Sequence, residues 1–288
     1  LLLDKILHVS LAVTSKEMAL DIKDSAEQFI QAAMQAQAQK LDELLAGLYV
    51  DIPYSKAVGG TPAIGDIQAL NEQLNTNKAP RDRDRHLVLG PVTESKYIVL
   101  DQVIGLDKSG STEALRNASM GRLLTMESWM DQNIATHTNG VPGGSPTASG
   151  ASGATAVTIA SGGNGGTFKK GDIITIATIA GQFVVTADLT LDGSGGGTLN
   201  IYPALPEAAS TDAVTLVATG VNNLAFHRKA FALGTAPLMP PMGTPFADVV
   251  SFNGISARVT AQWDNQAKSD TVSIDALYGL KTVLPELA

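Results

Sequence analysis

The chain has 288 residues, 44% of them hydrophobic and 17% charged, enough apolar surface for a substantial core in one large domain or two ordinary ones. Its net charge of -8 and pI of about 4.9 have the wrong sign for a surface that neutralises duplex phosphates along its length, which leaves only a local basic patch open. The absence of cysteine removes disulfides, thiolate nucleophiles and cysteine-ligated metal centres, and no run of about eighteen apolar residues is present to cross a bilayer as a helix, so no membrane partner is expected. Leu1-Leu2-Leu3, without an initiator Met, reads as the interior of a longer protein.

Leu7, Val9, Leu11 and Val13 alternate with Ile6, His8, Ser10 and Ala12, a period of two that predicts a strand over 6–13. Thr14-Ser15-Lys16-Glu17 fits the S/T-x-x-E capping box, whose hydroxyl and carboxylate satisfy free amides, and predicts a short helical turn through Leu20. From Ser25 to Tyr49, Ala26, Phe29, Ile30, Ala33, Met34, Leu41, Leu44, Leu45 and Leu48 follow the spacing of one helix face. No proline interrupts this run, which would extend nearly 40 Å at about 1.5 Å per residue. Gln31, Gln35 and Gln39 mark a solvated far side, and Met34 reads as a core methionine rather than a cofactor contact.

Between Asp51 and Asn139 the signals are mixed and predict an α+β unit. Pro53, Gly59-Gly60 and Pro62 mark turns, Ile64 to Leu74 reads as a short helix, and His86-Leu-Val-Leu-Gly90 reads as a buried strand. Leu115 to Met130 predicts a further helix or a helix and a strand, with Gly121 weakening a single helix. Composition changes at Gly140. The segment Gly140–Gly220 holds 16 of the 28 glycines and only two basic residues, Lys169 and Lys170. Its β-branched runs, 155–160, 172–179, 182–191, 198–202 and 213–218, predict a small sandwich or barrel. From Val221 the composition of the first half returns, as an inserted domain would leave it.

Gly162-Gly-Asn-Gly-Gly-Thr-Phe-Lys-Lys-Gly-Asp172 has the glycines and lysines of a phosphate loop but not its order. A P-loop needs G-x-x-x-x-G-K-[ST] and a helix directly afterwards. Here Phe168 precedes Lys169, Gly171 follows Lys170, and the β-branched run 172–179 is strand-like, so the stretch reads as a turn between strands. Asp192-Gly-Ser194 resembles a tight hairpin more than a serine nucleophile, which would also need a positioned base. His8, His86, His137 and His227 are placed in a strand, a strand start, a loop and a helix, without metal-ligand spacing. No catalytic, cofactor or metal residue is assigned and no cofactor is expected. Arg81-Asp-Arg-Asp-Arg85 alternates in sign, as either a subunit contact or a self-compensating solvated loop would.

Several runs, in order along the chain, carry a family resemblance. They are Leu20-Asp-Ile-Lys-Asp24, Asp82-Arg-Asp-Arg-His-Leu-Val-Leu89, Met126–Thr138 ahead of Asn139-Gly140, Asn222-Asn-Leu-Ala-Phe-His-Arg-Lys-Ala-Phe-Ala-Leu233, Gly254–Ala261, Ser273-Ile-Asp-Ala-Leu-Tyr-Gly-Leu-Lys281 and Pro285-Glu-Leu-Ala288. Together they resemble the major coat protein family of the Salmonella short-tailed double-stranded-DNA phages. The sequence departs from that family in Trp263-Asp264 where Tyr-Asp is commoner, and in the glycine-rich insert.

The resemblance implies an α+β, Hong-Kong-97-type capsid fold with a long spine helix and an inserted small β-barrel. On it, residues 1–20 are the distal part of an extended loop with a short helix and 21–50 the spine helix of a peripheral domain. Residues 51–139 begin an axial domain, 140–221 form the inserted barrel, 222–253 return to the axial domain, and 254–288 supply C-terminal peripheral strands. The implied function is a structural, non-enzymatic coat protein that builds pentamers and hexamers of an icosahedral shell around phage DNA. Implied partners are other copies, a scaffolding protein and a portal, with no sequence-specific DNA binding. Its place is the virion, assembled in the host cytoplasm. Leu7, Val9 and Leu11 on an otherwise unpaired strand, and Arg81, Arg83 and Arg85, are the candidate intersubunit contacts. The strand is expected to find its partner in an absent arm or a neighbouring subunit. A β-rich tail or adhesin module would explain the glycine-rich strands but not the long helix, and a hydrolase lacks its motifs.

Overall fold

A computed structural model describes residues 2–14, 23–110, 112–241, 246–252, 255–266 and 269–288. The capping box at Thr14–Glu17 and the turn through Leu20 fall outside the described residues, as do the side chains of Val13, Ala26, Phe29 and Ile30. In chain order, strand β1 (Lys5–Thr14) precedes helix α1 (Lys23–Ala46) and a 3-10 turn at Gly47–Asp51. Next come α2 (Ile64–Thr76), β2 (Arg85–Leu89), α3 (Pro91–Ile98) and three short helical turns at Asp101–Ile104, Leu106–Ser109 and Glu113–Asn117. Short strands β3 (Arg122–Leu123), β4 (Met126–Met130) and β5 (Thr136–His137) lead to β6 (Thr147–Gly150), β7 (Ala156–Ala160), β8 (Thr167–Phe168) and β9 (Ile173–Ile176). These are followed by β10 (Ile179–Val185), β11 (Leu189–Thr190), β12 (Gly197–Tyr202), β13 (Ala209–Leu216), β14 (Gly220–Val221) and β15 (Leu224–His227). The last strands are β16 (Phe231–Ala236), β17 (Phe246–Phe252), β18 (Ile255–Asp264) and β19 (Ser269–Thr282). The chain divides into two compact units, Leu1–Leu45 with Phe231–Lys281, and Ala46–Ala230 with Thr282–Ala288.

The first unit is an antiparallel sheet in the order β1-β19-β18-β17, with β16 also paired to β19. Leu7, Val9 and Leu11 stand opposite Ala276, Ile274 and Val272, whereas His8 and Ser10 stand opposite Asp275 and Ser273. The period of two has therefore sorted apolar from polar residues onto opposite faces. One edge of β1 is paired along ten residues with the chain's own β19 rather than with an outside strand, and, as the end strand of the sheet order, its other edge carries no strand among the described residues. Along α1, whose 24 residues span about 36 Å, Gln31, Gln35 and Gln39 are exposed as their spacing predicts. Gln37 is buried instead, and its Nε2 donates to the Ile274 carbonyl at 2.7 Å. It extends the stripe of Ala33, Leu41 and Leu44 at steps of four and three residues. Met34 lies off that stripe and is 46% exposed, so the reading of a core methionine is overturned.

In the second unit a four-stranded sheet, β15-β2-β4-β3, packs with α2 and α3 around Ile67, Leu74, Leu87, Leu89, Tyr97 and Met126. The Asp66 carboxylate accepts from the Ala63 amide at 2.8 Å, satisfying one free donor ahead of α2. The ambiguous stretch from Leu115 resolves into the end of a short helical turn and then strands. The Asn222–Leu233 run forms strand, turn and strand, so His227 sits in β15 rather than in a helix.

Six strands in the order β10-β12-β7-β6-β13-β9 close into a barrel. Its interior is filled by Val157, Ile159, Phe183, Leu199, Ile201 and their neighbours, so it is a packed core rather than a channel. The run 172–179, read as one strand, breaks at Ala177-Thr178 into the hairpin of β9 and β10. β6, with the sequence Thr-Ala-Ser-Gly, has no hydrophobic run to announce it and lies outside the predicted strands. The strands β5 and β14 that flank the barrel in sequence pair with each other, Thr136 opposite Val221 and His137 opposite Gly220. The barrel strands thus leave and rejoin the rest of the unit side by side.

Candidate functional site

Several amides of the glycine-rich stretch are committed to backbone carbonyls. Gly163 donates to Pro142 at 2.7 Å, Gly162 to Gly195 at 3.0 Å and Thr167 to Val141 at 3.0 Å. A Cβ at Gly166 would lie 2.1 Å from the Pro142 oxygen, so close backbone packing explains the glycine there.

At the end of that stretch Asp172 is fully buried, and its carboxylate gathers three donors. They are the Lys169 amide at 2.8 Å, the Gly140 amide at 3.1 Å and His137 Nε2 at 2.7 Å. The opposite ring nitrogen of His137 faces the Tyr49 hydroxyl at 2.9 Å. Tyr49, His137 and Asp172 form a hydrogen-bonded chain with the outline of a proton relay. Burial, with the Asp172 charge behind it, raises the Tyr49 pKa and keeps the phenol protonated. That hydrogen-bonded chain ties Tyr49, through His137, to Asp172 just ahead of β9. Lys170 pairs with Asp51 at 3.2 Å and the Gln182 side chain accepts from the Ser55 amide at 2.7 Å, and Tyr202 Oη donates to Glu286. Each of these joins the barrel to the segment 49–55 or to the C-terminal turn of its own unit. A cavity of about 480 Å³ lies beside these ties, lined among others by Tyr49, Ser55, His137, Gln182 and Asn222.

A second cluster joins Asp82, Asp84 and His227, whose potential ligand atoms lie within 4.8 Å of one another. His227 is buried, its Nε2 faces Asp82 at 3.1 Å, and its Nδ1 accepts the Lys229 amide at 3.2 Å. An imidazole accepting at Nδ1 carries its proton on Nε2, which makes Nε2 a donor to Asp82 rather than a metal ligand. That hydrogen bond, followed by the one from the Asp84 amide, holds the Asp82 carboxyl below its usual range. In the first unit, His8 Nδ1 and Arg258 each bind Asp275 at 2.5 Å. Burial alone would raise the Asp275 pKa, but these two partners outweigh it and the net shift is downward.

The residues expected at subunit contacts are scattered. Leu7, Val9 and Leu11 are half-buried on β1 and paired to β19. Arg81 and Arg83 are exposed. Arg85 is fully buried, donating from Nη2 to the Ala79 carbonyl at 2.6 Å, from Nε to Pro80 at 2.8 Å and from Nη1 to Asn71 at 2.8 Å. Neither a solvated loop nor a surface contact describes Arg85, because the alternation of β2 places it on the core face with Leu87 and Leu89. Nothing in the sequence singles out Tyr49, His137 and Asp172 as a group. The one signal is an aspartate at the start of a β-branched strand, too common to point to burial.

No family model matches the chain, and no curated protein matches it. Solved structures do. Over 99% of its length this chain superposes on 70% of a chain from Mycobacterium phage Che8, with a TM-score of 0.55 and 15% identity. The capsid structure of the cyanophage P-SCSP1u is matched over 99% of this chain and 70% of that one, with a TM-score of 0.53 and 14% identity. At these identities the likeness is one of fold: the chain has the fold of a phage capsid chain.

Proposed function

We propose that the chain is the major capsid protein of a tailed double-stranded-DNA phage, assembling into pentamers and hexamers of an icosahedral shell. The observation that carries this reading is the fold shared with the cyanophage capsid over 99% of the chain. The spaced sequence runs that resemble the Salmonella short-tailed-phage coat family support it independently. On this reading α1 is the spine helix of a Hong-Kong-97-type subunit, the first unit holds the peripheral domain together with residues 231–253, which the resemblance assigns to the axial return, and the sheet with α2 and α3 belongs to the axial domain. The six-stranded barrel is an insert that steadies the subunit. Copies of the chain, a scaffolding protein and a portal are its partners, and the shell encloses DNA without reading its sequence. Assembly would take place in the host cytoplasm, and the product is the virion shell.

Head-to-tail contacts that close by rotation generate rings, and small changes in angle convert six-fold to five-fold closure. The test is to express the full-length gene product with and without its scaffold and image it by electron microscopy. Uniform shells or capsomer rings are expected. A product that stays monomeric at all concentrations, with scaffold present, would overturn the proposal.

A further inference from the structure

We propose that Arg81, Arg83, Arg122, Arg228 and Lys229 form a cationic docking surface for a carboxylate-rich face of a second copy of this chain. The inference rests on the shell reading above and assigns it a contact. Three segments distant in sequence meet here. The Arg228 amide donates to the Asp84 carbonyl at 2.9 Å, and the Arg122 guanidinium donates to the Asp82 carbonyl at 2.8 Å. The loop 81–84, the start of β3 and the turn after β15 are therefore one surface, on which all five cations are exposed.

Asp82 binds the buried His227, and Asp84 lies within 4.8 Å of the same group. None of the five cations is ion-paired with a carboxylate among the described residues. The five cations outnumber the carboxylates beside them, Asp82, Asp84 and the Glu127 that stands opposite Arg122, so the surface keeps an excess of positive charge that an anionic partner would neutralise.

The chain itself supplies that partner. Its net charge is -8, and with a quarter of its 20 basic residues drawn into one patch the remaining surface is more acidic still. In the segment Gly140–Gly220, Asp188, Asp192 and Glu207 are exposed against two lysines. A cationic patch cannot face its own copy across a two-fold axis, because like would meet like. The contact it makes must be heterologous, patch to acidic face, and repeated head to tail. Duplex DNA offers the other polyanion, but the chain's net charge of -8 opposes binding along a long phosphate chain.

The test uses assembled full-length protein grown as a mixture of 14N- and 15N-labelled copies. A zero-length carbodiimide joins lysine to carboxylate, and mass spectrometry then separates links between copies from links within one. Lys229 should be linked to aspartate or glutamate of another copy. The yield should fall about tenfold in Arg81→Glu/Arg83→Glu/Arg228→Glu and in about 1 M NaCl. The same charge change at the exposed Lys40, Lys96 and Lys281 should leave it unaltered. Circular dichroism of each variant separates misfolding from lost contact, and Arg81→Gln/Arg83→Gln provides a milder second variant. The proposal fails if assembled copies never link through Lys229, or if both patch variants link and assemble as the wild type does. It also fails if the patch variants lose affinity for a short DNA duplex while self-association is unchanged. Wild-type shells without Lys229 links would sink this inference alone, whereas a wild type that remains monomeric would sink the shell reading with it.

Discussion

Asp172 collects more of the second unit's polar connections than its position suggests. A carboxylate without solvent contact that accepts two amides and an imidazole is stable only while all three remain. Asp172→Ala leaves the Gly140 and Lys169 amides and His137 without their acceptor, and should cost about 3 kcal/mol. Urea unfolding of the full chain measures it, and a loss below about 1 kcal/mol would show that the tie is dispensable. Asp275 gives a pH signature instead. Its carboxyl is depressed in the fold despite burial, so its contribution is fully present above the ordinary value of about 3.9 and disappears as pH falls from there through the lower folded value. Asp275→Asn should be less stable than wild type at neutral pH. Its acid limb below about pH 4 should be shallower, and parallel acid titrations of the two proteins by circular dichroism decide the point. Neither residue stands out in the sequence. Which aspartate is buried depends on donors supplied 32 residues away by Gly140 and 267 residues away by His8.

Elements are more legible than their partners. The 3.6-residue period of α1 and the alternation of β1 are local properties, repeated often enough to fix type and approximate length. The alternation of β2 extends back to Arg85, but a charged residue at a core position reads as a strand boundary until its carbonyl partners are known. Gln37 is a similar case, since a glutamine in the apolar stripe passes for a break in it. Its side chain ties α1 to β19, so Gln37→Leu should cost about 1 kcal/mol by removing the bond to the Ile274 carbonyl, and Gln37→Ala somewhat more. Hydrogen exchange should show faster opening of the β19 amides around Ile274 in both variants. Unchanged protection there would mean that the bond does not hold helix to sheet.

At the scale of the whole molecule the barrel is the separable part, since β5 and β14 bring its two ends together. Joining Asn139 to Val221 in place of Gly140–Gly220 would be topologically easy. It would also remove the counterparts of Tyr49-His137, Asp51 and Ser55, and the Tyr202 hydroxyl from Glu286. The apolar groups beside those ties would become exposed, and an exposed apolar patch promotes aggregation. Aggregated or misfolded product is therefore expected from the deletion in a solubility and electron-microscopy assay. A full yield of shells would refute a stabilising role for the barrel.

By itself the sequence determined the long helix, the alternating opening strand, the glycine-rich β segment with its change of composition, and the failure of the phosphate-loop pattern. Each is written in neighbouring residues, where backbone geometry converts spacing directly into a face or a turn. Only the tertiary structure decided that β1 pairs with β19, that Arg85 is internal, that Asp172 is buried, and that Arg81, Arg122 and Lys229 share one surface. Those outcomes depend on which distant segments satisfy each other's hydrogen bonds and charges, and no local period encodes that choice.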